Sequence, residues 1–268
     1  SGTPVTFNVT VRPTPTATIG GGTTVCQNST PPNVTFTNPE SVPVLISYTI
    51  NGTGNYTVNV VANSSQTVPA PTNTAGTFSY NLVSVEYLTA PTCANTLITG
   101  TTTVTVLTVP VATISGTTTV CEGGTQPSVT FTNPQAQSVD VTYNINGSSQ
   151  TTIAVPGGSS VSLQAATTVS GVFIYNLVSV AYQGSTACSN TISGSAVVTV
   201  RPTPTATIGG TTTVCQNAVR PNITITNPQP LSITVNYTIN NGTPISQNIP
   251  PSQTISIPVN TATAGSFA

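Results

Sequence analysis

The chain's 268 residues include only three arginines and four carboxylates, and no lysine, histidine, tryptophan or methionine, for a net charge of −1. Charge this sparse, far below the roughly one quarter of an ordinary soluble domain, leaves no basic cluster to neutralise a nucleic-acid backbone or an anionic membrane surface. It also removes two of the three residue types that move protons near neutral pH. With 37% hydrophobic residues alternating with Thr, Ser and Asn, the composition favours buried sheet cores over disorder. No apolar run is long enough for a membrane helix, so direct membrane insertion is not expected.

The opening residues, SGTPVTFNVTV, alternate like a strand. Val9–Pro13 (VTVRP) recurs as Val198–Pro202, so residues 1–14 are expected to be the last strand of a preceding repeat plus a linker. A motif then appears three times: PTATIGGGTTVCQN from Pro15, PVATISGTTTVCEG from Pro110 and PTATIGGTTTVCQN from Pro204. Its period is about 95 residues, the size of a small β-domain. The boundaries that follow are 15–109, 110–203 and 204–268. The third repeat is expected to be incomplete, because Thr263–Phe267 (TAGSF) matches Thr74–Phe78 (TAGTF) but the SYNLVSVEY that follows in repeat 1 does not appear.

Five cysteines fit this frame. Cys26 to Cys93 and Cys121 to Cys188 are equally spaced, which predicts one disulfide inside each repeat, with Cys215 the first half of a third. A bridge closing so long a loop would contribute ~4 kcal/mol through the denatured state and would place the chain in an oxidising, extracellular setting. Unpaired buried thiols are the alternative.

Within repeat 1, Asn33–Asn38 (NVTFTN) has the period of a half-buried strand. Val44–Asn51 sets Val44, Ile46, Tyr48 and Ile50 on one face, matched by Val139, Val141, Tyr143 and Ile145, and by Ile233, Val235, Tyr237 and Ile239. Asn51-Gly52, Asn146-Gly147 and Asn241-Gly242 then predict tight hairpin turns. Further strands are expected at Tyr56–Ala62, Gln66–Ala70, Gly76–Tyr87 and Thr101–Val106. In Gly76–Tyr87 the apolar residues switch parity after Leu82, which predicts a bulge there or a change of buried face. About seven short strands per repeat and no helical period predict an all-β fold of tandem antiparallel Ig-like β-sandwiches.

Tyr80-Asn81-Leu82 and Tyr175-Asn176-Leu177 resemble the Tyr-x-Cys of an immunoglobulin F strand, with leucine in place of cysteine, and could form a tyrosine corner. The cysteines do not sit on strands B and F, and the core tryptophan is missing. As a whole, the repeat, from ATISGTTTVC through TFTNP, YNING and GTFSYNLVSV to a closing TVTV, resembles the Ig-like or PKD-like tandem repeats of very large Bacteroidota surface proteins. That resemblance implies a stalk segment of an exported adhesin or filament at the cell surface, often delivered by type IX secretion.

The acids do not recur between repeats. Glu40 aligns with Gln135 and Gln229, Glu122 with Gln27 and Gln216, and Glu86 with Ala181. They read as solvated surface groups, so no catalytic residue, metal site or cofactor is expected. Tyr87 and Tyr182, with Tyr56, are candidate sugar-stacking residues. The alternative is that they cover a domain boundary. The expected partners are neighbouring repeats of the same chain, with other copies in a filament or surface glycans as further candidates. The sequence therefore reads as a passive spacer, with a glycan-binding array and a donor-strand filament subunit as rival readings.

Overall fold

Alternating apolar and polar side chains satisfy a sheet with one buried face, and the computed structural model, which describes residues 2–184 and 188–268, is built of strands and turns. The chain divides into two units. One holds Ser1–Thr117, Ser128–Ala165 and Phe173–Val197, and the other Thr118–Pro127, Ala166–Val172 and Val198–Ala268.

Repeat 1 folds as β1 (Thr18–Gly20), β2 (Thr23–Cys26), β3 (Asn33–Asn38), β4 (Val44–Ile50), β5 (Thr53–Val60), β6 (Ser64–Pro69), β7 (Gly76–Tyr87), β8 (Ala94–Asn95) and β9 (Thr101–Leu107). One sheet has the order β1-β3-β6, and the other β2-β9-β7-β4-β5 with β8 on β7. Val34 and Phe36 of the first sheet share a core with Ile46, Tyr48, Tyr80, Val85 and Val104 of the second, so the two inner faces close on each other as a β-sandwich. The entry strand is divided between them: β1 pairs antiparallel with β3, and β2 pairs parallel with β9. Gly21 allows the switch. Its φ is +93°, and a Cβ there would lie 2.3 Å from the carbonyl oxygen of Asn33. Gly116 and Gly210 meet the same obstruction at the same distance.

The change of parity in the long strand is a bulge. Ser47 pairs with Ser84 and Tyr48 with Leu82, leaving Val83 out of register. The extra residue brings Tyr80, Leu82, Val85 and Tyr87 all into the core. In repeat 2, Thr142 pairs with Ser179 and Tyr143 with Leu177, so Val178 is skipped in the same way. No tyrosine corner forms in repeat 1, because the Tyr80 hydroxyl is buried without a hydrogen-bond partner.

Repeat 2 contributes β10 (Thr113–Ser115), β11 (Thr118–Cys121), β12 (Ser128–Asn133), β13 (Val139–Ile145), β14 (Thr151–Val155), β15 (Ser159–Gln164), β16 (Gly171–Tyr182), β17 (Ser189–Thr191) and β18 (Ser195–Arg201). They form sheets β10-β12-β15 and β11-β18-β16-β13-β14, with β17 on β16. Repeat 3 contributes β19 (Thr207–Gly209), β20 (Asn222–Thr226), β21 (Ile233–Tyr237), β22 (Ile245–Ile249) and β23 (Thr254–Pro258), in sheets β19-β20-β23 and β21-β22. Its small core centres on Ile225, Ile233 and Ile249.

Two hairpins turn at Asn51-Gly52 and Asn146-Gly147, every residue at positive φ as a primed turn requires. The third turn lies one residue earlier than the sequence suggested. Asn240 (φ +49°) and Asn241 (φ +57°) occupy the left-handed positions, and Gly242 is outside them. Asparagine tolerates that region, so the glycine beside it misdirected the assignment.

The cysteine pairing also differs from expectation. The structure contains one disulfide, Cys26–Cys188, with Cα atoms 5.5 Å apart, and Cys93, Cys121 and Cys215 are thiols. The parallel edge strand explains why the intradomain pairing fails. Val25 and Gly76 both align with Val106, so Cys26 lies level with the start of β7. Cys93 lies at the other end of β7, where its carbonyl accepts the Tyr87 N–H at 3.1 Å. Eleven residue steps along a strand separate those levels by roughly 35 Å, against the ~7 Å that a disulfide can span between Cα atoms. Cys121, in register with Arg201, and Cys188, whose carbonyl accepts the Tyr182 N–H, hold the corresponding places in repeat 2. Repeats 1 and 2 thus each have their first cysteine at the exit end and their second at the entry end, and the observed bond joins the exit of repeat 1 to the entry of repeat 2.

Candidate functional site: the clamped repeat boundary

The segment entering each repeat is held by a device built from the recurring sequence Thr-Asn-Pro-Glu/Gln. Asn38, Asn133 and Asn227, which end β3, β12 and β20 or follow them directly, are completely buried. A buried amide must be satisfied or it costs stability. The Asn38 Nδ2 donates to the carbonyls of Val42, Val60 and Val61, sharing two hydrogens among three acceptors. Asn133 does the same to Gln137, Val155 and Pro156, and Asn227 to Leu231, Ile249 and Pro250.

Each asparagine Oδ1 accepts the backbone N–H of the residue two positions on: Glu40 at 2.9 Å, Gln135 at 3.0 Å and Gln229 at 2.9 Å. The intervening proline presets φ for such a turn. Glu40, Gln135 and Gln229 are therefore aimed from a rigid base.

All three reach back to the entry segment. Glu40 Oε1 accepts both the N–H and the hydroxyl of Thr16, at 2.9 and 2.7 Å. Gln135 Oε1 accepts the N–H of Val111, and its Nε2 donates to the Thr108 hydroxyl and the Val109 carbonyl. Gln229 accepts from the N–H of Thr205 and donates to the carbonyl of Thr203. Glu40 is therefore not the solvated surface group that the lack of a shared acid suggested. A second tie comes from Asn95 and Asn190, whose Nδ2 atoms donate to the carbonyls of Pro15 and Pro110, each at 3.0 Å.

Tyr87 and Tyr182 belong to the same clamp. Both are buried, at 2% and 6% exposure, which leaves neither ring a face on which a sugar could stack. The Tyr87 hydroxyl donates to Glu40 Oε2 at 3.2 Å, and the Arg12 guanidinium lies 3.7 Å from the centre of its ring. Arg12 also donates to the carbonyls of Thr89 and Pro91. The Tyr182 hydroxyl is 2.9 Å from the Thr108 hydroxyl. Tyr56, the third aromatic candidate, is about half exposed and stacks on Tyr48 with ring centres 5.5 Å apart.

The hydrogen bond from the Thr16 hydroxyl is the main influence holding the Glu40 carboxyl below the usual carboxylate range, against a smaller opposing effect of burial. The Thr16 N–H, the Tyr87 hydroxyl and the Arg12 charge add to the lowering. Burial foremost, and then the hydrogen bond to Glu40, push the Tyr87 hydroxyl up.

At the exit end, the turn after each first cysteine is braced as well. Thr72, Thr167 and Thr261 donate their hydroxyls to the carbonyls of Ser29, Gly124 and Ala218. The recurrence of Asn-Pro-Glu/Gln at one place in all three repeats was the available signal for the clamp. The acid itself does not recur, because what glutamate and glutamine share here is the oxygen that accepts the entry segment's N–H.

No protein-family model matches the chain, and no curated protein matches it. Among solved structures, a Ca2+-stabilized adhesin described as helping an Antarctic bacterium reach out and bind ice is similar at 18% identity and a TM-score of 0.40, over 93% of this chain and 66% of that one. This chain thus spans just under two thirds of that adhesin's length. A marsupial T cell receptor is similar at 12% identity and a TM-score of 0.47, over 91% and 99% of the two chains. A tetra-tandem repeat from the extending region of a large adhesion protein is similar at 14% identity and a TM-score of 0.31, over 91% and 67%.

Proposed function

We propose that the chain is a passive, tension-carrying segment of an extracellular adhesin or surface filament, in which consecutive repeats are coupled covalently as well as through their linker. The observation that carries this reading is the Cys26–Cys188 disulfide across the boundary of repeats 1 and 2. A structural disulfide persists in oxidising compartments, which supports an extracellular location. A pull applied at the two ends of the chain enters at Cys26 and crosses the sulfur bond to Cys188. The intervening polypeptide, including the linker at residues 108–112, is then spared the load. The entry clamps support the same reading, because they fix the linker to the repeat it enters.

Single-molecule stretching of the intact chain tests the proposal. The bond spans a sequence separation of 162, so at ~3.5 Å per residue reduction is expected to release roughly 560 Å of hidden contour length in one locked block. Two separate, shorter locked loops would mean that the bridges close inside repeats, and the coupling would be lost from the reading.

A further inference from the structure

We infer that each arginine–proline bond of this chain is a withheld cleavage site, so that these 268 residues offer no bond to an endopeptidase directed at basic side chains, whether a repeat is folded or pulled open. The inference goes beyond the load-bearing reading and does not depend on it.

Such an enzyme seats a lysine or arginine in an anionic pocket and hydrolyses the peptide bond that follows it. The chain has no lysine, and its three arginines are Arg12, Arg201 and Arg220. The residue after each is a proline: Pro13, Pro202 and Pro221. A proline nitrogen carries a ring carbon where an ordinary amide carries hydrogen, and the ring fixes φ at about −65°. Its Cδ also confines the preceding residue to extended backbone. The leaving nitrogen therefore cannot settle against the catalytic histidine as an ordinary amide does, so it takes up no proton and the C–N bond stays closed.

All three bonds lie in accessible connections, where folded proteins are most readily nicked. Arg12 and the exposed Pro13 stand in the segment entering repeat 1, ahead of β1. Arg201 is exposed at the end of β18, and residues 202–206 lie outside any strand before β19. Arg220 is exposed in the connection leading to β20. The entry clamp uses the cation at Arg12, whose guanidinium lies over the Tyr87 ring and donates to the carbonyls of Thr89 and Pro91. A basic side chain is thus built into a reachable segment, and the proline behind it removes the liability. The carbonyl of Arg201, the group a peptidase would attack, accepts the Glu122 N–H at 2.7 Å. That contact is a further obstacle while the repeat is folded.

Bonds next to aromatic residues are protected differently. Tyr48, Tyr80, Tyr143 and Tyr175 lie in the cores, hidden only while their sandwiches are closed, and cleavage beside them tracks the population of the open form. The arginine–proline bonds do not share that dependence, because the proline ring is covalent and travels with the chain into every conformation.

The test is digestion of the full chain by trypsin, both native and after denaturation, reduction and alkylation, read by gel and by mass spectrometry. Chymotrypsin applied to the same denatured sample, cutting after tyrosine and phenylalanine, verifies that the chain is open. The parent is expected to stay whole in trypsin in both states. Pro13→Ala, Pro202→Ala and Pro221→Ala, each denatured in the same way, should lose the intact chain to a single cut after Arg12, Arg201 or Arg220. Because the variants are compared as unfolded chains, one that fails to fold still reports. Tryptic fragments from the denatured parent, or a variant that survives as the parent does, would overturn the inference.

Discussion

The entry clamps of repeats 1 and 2 have the same geometry and different chemistry. In repeat 1 a carboxylate, Glu40, gathers Thr16 and Tyr87 while Arg12 covers the tyrosine ring. In repeat 2 a neutral amide, Gln135, takes the corresponding N–H and also donates two hydrogen bonds, and Tyr182 turns to Thr108 instead. What the two share is the buried asparagine that aims the clamp and the entry segment that it holds. Position is therefore the constrained feature, and charge is incidental to it.

The largest effect that separates the two repeats concerns the bond between them. Closing a loop with a sequence separation of 162 restricts the denatured chain by about 5 kcal/mol in the loop-entropy model. Cys188→Ser is accordingly expected to destabilise repeat 1 as well as repeat 2, while Cys93→Ser, which breaks no bond and alters only a partly buried core contact, costs repeat 1 less. Hydrogen exchange of the Val34 and Val129 amides reads both repeats at once. If Cys188→Ser altered repeat 2 alone, the coupling of the two repeats would be refuted.

Next in size is the shared anchor. Asn38→Ala or Asn133→Ala strands three carbonyls that the amide now satisfies, at a cost of about 3 kcal/mol in chemical unfolding. A similar loss in both repeats would confirm that the anchor is common to them, and a loss in only one would break the equivalence.

The clamps themselves should respond unequally. Gln135→Glu removes both donated hydrogen bonds and sets a carboxylate against the Val109 carbonyl, at a cost of about 1–2 kcal/mol. Glu40→Gln keeps the acceptor oxygen for Thr16 and is expected to cost no more than about 0.5–1 kcal/mol. Thermal melts of the two variants side by side give the ordering.

The smallest effect is the response to acid. The folded-state pKa of Glu40 is lowered from its ordinary value of 4.5, so the unfolded chain binds the proton more readily. The contribution of Glu40 is thus fully present above that ordinary value and is lost as pH falls through the lower folded value. The Thr16 amide resonance should titrate in that acid range, and the Val111 amide, held by a neutral glutamine, should stay flat. A flat Thr16 would show that the Glu40 contact is not formed in solution.

Much of the architecture was legible in the residues. The alternation in NVTFTN and VLISYTI and the change of parity around Leu82 each describe a local backbone state, and local states are what side-chain period and turn residues report. The third hairpin shows the limit of that reading, since Asn240 and Asn241 took the positive-φ places and the neighbouring glycine did not. The clamp was hidden because its parts lie a repeating 24 residues apart, as with Thr16 and Glu40, and only sheet closure brings them together. Tyr87 and Tyr182 looked like binding residues because their sequence shows an aromatic at a strand end and says nothing about what covers it.

The cysteines mark the division most clearly. The sequence by itself determined the all-β class, the repeat period and the place of each cysteine within its repeat. A spacing that recurs with the repeat fits pairing within a module and pairing to the next module equally well, so it could not choose between them. That choice was made by the parallel seating of β2 on β9, which puts the first cysteine at one end of the sandwich and the second at the other. A covalent bond spans only a few ångströms, and consecutive modules were the ones whose cysteines met.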